Sequence, residues 1–334
     1  MPDTNPLFLV CLTDEAEVVT AITEALAAFG LGAAVQLEAM APSTPDVDTL
    51  ARADGILCGA LPAELRAAAP RLRWVQFWSA GVDGKIYSEL FRSPDRGEPV
   101  MVTTGSGIHT ASASEHVLSL MLAFARGVPL SVHAQQERNW SARDAIMASM
   151  FELEGKTVGI VGTGAIGQAI GRRCQAFGMR TVGTRRDPSR PTTGIDIVLS
   201  HIQYHDLILA SDMIVLALPL TPHTQMIFGE DEIEILRKGT YLFNIGRGGL
   251  LDEAWVVRGL QKGWLAGAGL DVFADEPLPE TSPFWTLPNC IITPHVGGFT
   301  PRYWSRFGEL IARQVRHLQA EEPLENRVDP TLGY

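Results

Sequence analysis

The stretch TVGIVGTGAIGQAIGRRCQAFG, residues 157–178, constrains this chain more than any other. An apolar run passes through three glycines into an amphipathic segment, which predicts a strand, a tight turn and a helix. Gly162, Gly164 and Gly167 form the pattern GxGxxG. The first permits the turn, the second lets the backbone approach a pyrophosphate, and the third lets helix and strand pack closely. Ala165 and Ile166 open the helix, where free N–H groups face negative charge. Ile166, Ile170, Cys174 and Phe177 fall on one helical face. With a strand before it and a helix after it, the motif reads as dinucleotide binding rather than as a structural glycine turn.

Such a site needs strands and helices in alternation, and the chain supplies them on both sides. LFLVCL (7–12), AAVQLEA (33–39), GILCG (55–59), RWVQFW (73–78) and VMVTTG (100–105) read as strands. Helical patterns over 15–30 and 62–72 lie between them. A long apolar helix follows over 110–127, placed to bridge two domains. From Glu154 onward, TVGIVG, RTVGT, MIVLALP, TYLFNIG, AGAGLDVF and NCIITPH predict six more strands. They are mostly unalternating, as strands covered on both faces are. A last helix spans about 304–320. The 334 residues suffice for two buried cores. The class is α/β, with two doubly wound parallel-sheet domains.

Composition narrows the partners. A net charge of −11 argues against nucleic acid, because a phosphate backbone wants a basic face. Cys11, Cys58, Cys174 and Cys290 are far apart and form no CxxC pair. They predict a reducing compartment and no metal. The N-terminus carries no leader pattern, and no apolar run approaches bilayer length, so neither a membrane partner nor export is expected.

VGTRRDP, residues 182–188, stands where an NAD site places a carboxylate on the ribose 2′-hydroxyl. Here that place holds Arg185 and Arg186. A guanidinium forks onto a 2′-phosphate with paired charge-assisted bonds, which predicts NADP. The alternative is two solvated arginines beside an NAD ribose, with Asp187 as acceptor.

Three later stretches place chemistry just after strands: Arg247 in FNIGRGG, Glu276 in LDVFADEPLP and His295 in ITPHVGG. Ligands of open α/β sheets bind at these carboxyl ends. Alone, each residue is ordinary. Together, beside a dinucleotide motif, they make an acid–base site.

The order GxGxxG, NIGRGG, LDVFADEPLP, TPHVGG resembles the D-isomer-specific 2-hydroxyacid dehydrogenases, and SAGVD (79–83) and SEHVLSLML (114–122) extend the likeness. The resemblance implies two Rossmann-like domains. Residues 1–105 and 298–334 form the substrate domain, and 106–297 form a cofactor domain inserted between them. It implies a homodimer, with the helix after residue 109 linking the domains and contributing to the interface. His295 matches the acid–base histidine, Glu276 its carboxylate partner, and Arg247 the arginine that holds the carboxylate of a small 2-oxo acid. Ala80, Gly81 and Val82 would offer backbone N–H groups to that same carboxylate. Asp271 matches the acceptor for the nicotinamide carboxamide, and Gly297 lies on the cofactor side. Leu218 and Pro219 would wall the adenosine. Ile245 and Gly246 stand near the nicotinamide, where the family usually has threonine and alanine. Formate dehydrogenases pair their histidine with glutamine, so Glu276 argues against that activity.

The leading reading is an NADPH-dependent glyoxylate or hydroxypyruvate reductase. One rival is an NAD-dependent phosphoglycerate dehydrogenase without its regulatory domain; SAGVDGKIY offers only Lys85 for a phosphate. Another is a dinucleotide-sensing corepressor on the same fold. Phe77, Trp78, Tyr303 and Trp304 suit either an aromatic pocket or core packing.

Overall fold

The computed structural model describes residues 6–92 and 99–332. Residues 1–5, part of the N-terminal stretch read above for a leader, lie outside them. The chain divides into two compact units, Met1–Ile108 with Thr300–Tyr334, and His109–Phe299.

The first unit is built on a parallel sheet of β1 (Leu7–Leu12), β2 (Val35–Met40), β3 (Gly55–Cys58), β4 (Trp74–Phe77) and β5 (Met101–Thr103). The strand order is β2-β1-β3-β4-β5. On one face Leu9, Cys11 and Leu57 share a core with Val18 and Ile22 of the helix Ala16–Ala28 and with Phe307 and Ile311 of the helix Tyr303–Gln319. The two helices touch at Gly308, where a Cβ would lie 2.4 Å from Ala21 O. Only glycine permits that approach. The helix Tyr303–Gln319 is thereby fixed against the helix Ala16–Ala28. Buried Gln314 adds to this, donating to Gln76 Oε1 and accepting from the N–H of Glu325.

The helix expected over 62–72 is only Ala63–Ala67. Pro70 disfavours helical backbone at the residue before it, and this ends the helix early. Phe77 is a core residue at 0% exposure. Trp78, Tyr303 and Trp304 are partly buried and pack on one another. The rings of Trp78 and Trp304 meet edge to face at 5.9 Å, and the Tyr303 hydroxyl donates to Trp78 O at 2.7 Å.

The second unit carries β6 (Thr157–Val161), β7 (Arg180–Arg185), β8 (Ile197–Ser200), β9 (Met213–Leu216), β10 (Thr240–Asn244), β11 (Leu265–Leu270) and β12 (Cys290–Ile292). All run parallel in the order β12-β11-β10-β9-β6-β7-β8. This is one strand more than the six expected. β8, IVLS, is short, part-exposed and at the edge, and so brief an apolar run is ambiguous between strand and helix. The order reverses between β6 and β9, which makes the carboxyl ends of these two strands the topological switch point.

The helix Thr110–Ala125 buries Val117, Leu120, Met121, Phe124 and Ala125 in a core with Val158, Ile160 and Phe243. Its apolar face is therefore used within its own unit. Gly127, at φ 63°, turns the chain, and Pro129 starts the next helix. The helices Val128–Gln136 and Arg143–Ser149 bury no residue at all. Val128, Leu130, Val132, Trp140 and Met147 lie exposed in this segment, Trp140 at 88%. Among the described residues no single helix is long and apolar enough to cross a membrane.

Candidate active site

The glycine turn follows β6 as the spacing predicts. Gly162 has φ 99°, and a Cβ there would lie 2.7 Å from Ala217 O, after β9. At Gly167 a Cβ would lie 2.1 Å from Gly162 O, so the helix Ala165–Ala176 packs against the turn itself. At Gly164 a Cβ would meet nothing within 4 Å. Space and uncapped helical N–H groups thus meet at one point, and the helix's first turn holds no acidic residue. The cradle fits a pyrophosphate. Ala165 is exposed at the helix start, Ile166 and Leu218 are partly buried, and Pro219 is exposed. The buried stripe of the helix is Gly167, Ile170, Gly171 and Cys174; Phe177, expected on this face, is 43% exposed. It caps the helix end, where the chain is already turning away.

β7 delivers Arg185 to the same end of the sheet, with Arg186 exposed next to it. Arg185 Nη1 makes long hydrogen bonds of 3.3 and 3.4 Å to the carbonyls of Arg190 and Pro191. Asp187, the other candidate acceptor for a ribose, is occupied locally. It accepts from the Ser189 hydroxyl at 2.6 Å and from the Ser189 N–H at 3.1 Å, and pairs with Arg190 at 3.3 Å. The Ser189 contacts hold its carboxyl below the usual aspartate value.

Arg247 follows β10, and Asn244 fixes its main chain. The Asn244 side chain donates to Arg247 O at 2.9 Å and accepts from the N–H of Gly246 at 3.1 Å. Arg247 Nη1 donates to Gly246 O at 2.7 Å. A Cβ on Gly246 would lie 2.9 Å from Leu218 O, and one on Gly248 would lie 1.8 Å from the carbonyl carbon of Phe273. The loops after β9, β10 and β11 are thus in mutual backbone contact. Ile245 is partly buried against the core that the helix Thr110–Ala125 shares.

Glu276 lies in the loop after β11. Its Oε1 accepts from the N–H of Phe273 at 2.9 Å, and its Oε2 lies 2.7 Å from His295 Nδ1. Partial burial opposes its charge. The hydrogen bonds from His295 and Phe273, with the charges of His295 and Arg247, outweigh that, and the carboxyl sits below its ordinary value. Glu253 holds the same loop by accepting from the N–H of Ala274 at 2.8 Å, and burial raises its own carboxyl.

His295 has φ 53°, the left-handed region, so the loop after β12 imposes its backbone. Asp271, 2% exposed, organises that loop. Its carboxylate accepts from Thr293 Oγ1 at 2.6 Å, from the N–H of Val296 at 3.0 Å and from the N–H of Gly297 at 2.9 Å. Its main-chain oxygen accepts from the N–H of His295 at 2.9 Å.

In the other unit, the turn holding Ala80, Gly81 and buried Val82 follows β4. The Ser79 hydroxyl donates to Gly81 O at 2.7 Å, and Lys85 Nζ donates to Ser79 Oγ at 2.9 Å.

Asn244, Glu253 and Thr293 escaped the sequence reading of the site. Nothing in their spacing distinguishes them from neighbours, since each acts by hydrogen-bonding main chain or another side chain across the fold. Among the described residues no cluster of three His, Cys, Asp or Glu side chains has the arrangement of a metal site.

A doubly wound sheet with a phosphate cradle at its switch point and a His–carboxylate pair at the same edge defines a nucleotide-dependent acid–base enzyme. Residues 118–297 match the family model of the D-isomer specific 2-hydroxyacid dehydrogenase, NAD binding domain. The chain is 34% identical over 301 residues to a glyoxylate reductase of Thermococcus kodakarensis, covering 88% of this chain and 85% of that one. It is also 34% identical over 302 residues to a D-3-phosphoglycerate dehydrogenase of Mycobacterium tuberculosis, covering 88% of this chain but 55% of that one. Among solved structures, it resembles an NADPH-dependent glyoxylate/hydroxypyruvate reductase of Sinorhizobium meliloti in complex with NADP and sulfate, with TM-score 0.78 and 27% identity, over 98% of this chain and 100% of that one.

The chain belongs to the D-isomer specific 2-hydroxyacid dehydrogenase family. It is an NAD(P)-dependent oxidoreductase that moves a hydride between a nicotinamide and a small 2-oxo or 2-hydroxy acid.

Proposed function

We propose that this enzyme is an NADPH-dependent reductase of the glyoxylate or hydroxypyruvate type, and that His295, Glu276 and Arg247 are its catalytic residues. The observation that carries this is the His295–Glu276 pair at 2.7 Å on the nucleotide-binding sheet. Reduction of a 2-oxo acid requires a hydride at C2 and a proton on the carbonyl oxygen. The bound nicotinamide supplies the hydride. Glu276 takes the Nδ1 side of the imidazole, which leaves Nε2–H as the atom that protonates the developing alkoxide. Arg247 holds the substrate carboxylate with its fork and polarises the carbonyl.

We assign the cofactor to Gly162, Gly164, Ala165, Ile166, Gly167, Leu218, Pro219, Ile245, Gly246 and Gly297. Asp271 is assigned to the carboxamide; three donors already occupy its carboxylate, which leaves Oδ2 a lone pair for a fourth. Ala80, Gly81 and Val82 are assigned to the substrate on the family resemblance. The unit of residues 109–299 is then the cofactor domain, and the unit of 1–108 with 300–334 the substrate domain.

Arg185 and Arg186 support NADP, and Asp187's engagement by Ser189 and Arg190 weakens it as the rival acceptor. Lys85 is engaged with Ser79, which weakens the case for a phosphorylated substrate. The unburied helices of residues 128–149 support a homodimer. Buried Cys11, Cys58 and Cys174 and a net charge of −11 support a cytoplasmic enzyme that takes neither nucleic acid nor membrane as partner.

The test is purified protein with NADPH or NADH and a panel of glyoxylate, hydroxypyruvate, 3-phosphohydroxypyruvate and longer 2-oxo acids. Faster NADPH oxidation with the first two is the expected result. Preference for NADH and the phosphorylated acid overturns the reading, and nucleotide binding without turnover of any acid would mark a sensor.

A further inference from the structure

The loop that carries His295 is gripped from below by one helix. His116 Nε2, on the helix Thr110–Ala125, lies 2.9 Å from Thr293 Oγ1 and 3.5 Å from Asp271 Oδ1. The Thr293 hydroxyl gives its proton to Asp271 Oδ1 at 2.6 Å, so toward His116 it acts as acceptor, and His116 bears its proton on Nε2. Gly297 lies flat on the same imidazole, where a Cβ would come within 2.9 Å of His116 Cδ2 and 2.8 Å of Asp271 Oδ2. One turn earlier, the Ser112 hydroxyl donates to Gly298 O at 2.9 Å, and His109 Nδ1 lies 2.9 Å from that same oxygen. These contacts span residues far apart in sequence but within one unit.

We propose that His116 is a positioning residue for catalysis, setting His295 through Thr293 and Asp271. This deepens the acid–base reading above and rests on it. His295 sits in left-handed backbone, which persists only where its surroundings over-determine it. The determinants are the main-chain oxygen and carboxylate of Asp271, which take the N–H groups of His295, Val296 and Gly297. The Asp271 side chain is in turn oriented by Thr293, and Thr293 by His116. Removing the Nε2–H donor leaves the part-buried Thr293 hydroxyl and the buried Asp271 carboxylate with one donor fewer, so the loop relaxes and the imidazole of His295 loses its angle to the carbonyl oxygen. A displacement of about 1 Å in such a group costs on the order of a hundredfold in rate.

The experiment compares His116→Leu, His116→Gln, Thr293→Val and the double variant His116→Leu/Thr293→Val, with His295→Ala alongside. Melting temperature and NADPH binding are measured beside kcat and KM for the 2-oxo acid. His116→Leu is expected to lower kcat about ten- to a hundredfold, with KM moved less than kcat. Gln places an N–H donor near the Nε2 position and is expected to restore kcat to within about threefold of wild type. The double variant is expected to fall no further than the worse single one, because both act on one chain of contacts. Wild-type kcat in His116→Leu overturns the proposal, and so do equal losses of kcat and stability in the Leu and Gln variants. If His116→Leu does not fold, Thr293→Val decides: unchanged kcat overturns the proposal, and a loss with KM retained supports it. An active His295→Ala would instead bring down the acid–base reading itself.

Discussion

His295 Nδ1 and Glu276 Oε2 lie 2.7 Å apart, although they stand on the loops after different strands. β11 and β12 are neighbours in the sheet, so the loops leaving their carboxyl ends face each other. The pair is thus a consequence of parallel register. It directs the other ring nitrogen, Nε2, to the reaction.

Glu276→Gln tests the charge of this pair. The wild-type carboxyl sits below its ordinary value, so it is ionised across the neutral range. Its stabilising contribution is complete above the ordinary carboxylate pKa and fades as pH falls through the lowered one. Gln keeps a contact and removes the charge. Reduction needs a proton donated by the ring that Glu276 holds, so kcat for the 2-oxo acid is expected to fall about tenfold or more. An unchanged kcat would detach Glu276 from the chemistry.

Arg247→Lys tests carboxylate recognition. Lysine keeps the charge but not the planar fork. KM for the 2-oxo acid is expected to rise strongly and kcat to fall, while NADPH binding stays within a few fold. An unchanged KM would mean that the carboxylate is held elsewhere.

Much of this site was legible in the sequence because its parts are short and local. A strand followed by glycines, and a charged residue just past an apolar run, each announce a position at the carboxyl edge of a sheet. What failed was whatever depends on distant packing. β8 is only four residues, IVLS, part-exposed at the sheet edge, and so short an apolar run does not by itself tell strand from helix. Phe177 looked like a core residue by periodicity, but the helix ends before its ring can turn inward. Asn244 and Thr293 hold catalytic loops through hydrogen bonds that join different strands, and no periodicity records those.

The apolar face of the helix Thr110–Ala125 lies in the core of its own unit. The next two helices, short and less apolar, are the ones left uncovered. Light scattering is expected to give about twice the 36.3 kDa of one chain, and Trp140→Asp to shift the protein toward that single mass. A monomer at micromolar concentration would remove the homodimer.

Cofactor choice rests on Arg185 and Arg186. Changing both to Ala is expected to weaken NADPH and spare NADH. A hydrogen bond to a charged group contributes about 1.5–3 kcal/mol. With solvent screening at this exposed rim, the ratio of kcat/KM for the two cofactors should shift about tenfold to several hundredfold. Arg185→Asp should go further, because it repels the 2′-phosphate and restores an acceptor for the ribose hydroxyl. A wild type that prefers NADH, with a ratio unmoved in the variants, would leave the two arginines as solvated side chains.

The most direct test of the account is turnover by His295→Ala, read with its NADPH binding by cofactor fluorescence. Loss of the proton donor is expected to lower kcat by about a hundred- to ten-thousandfold. Binding of NADPH should stay near wild type, because the cradle of Gly162, Gly164 and Gly167 is untouched. Wild-type-like reduction of the 2-oxo acid by this variant would contradict the assignment of His295, and with it the mechanism built on the pair.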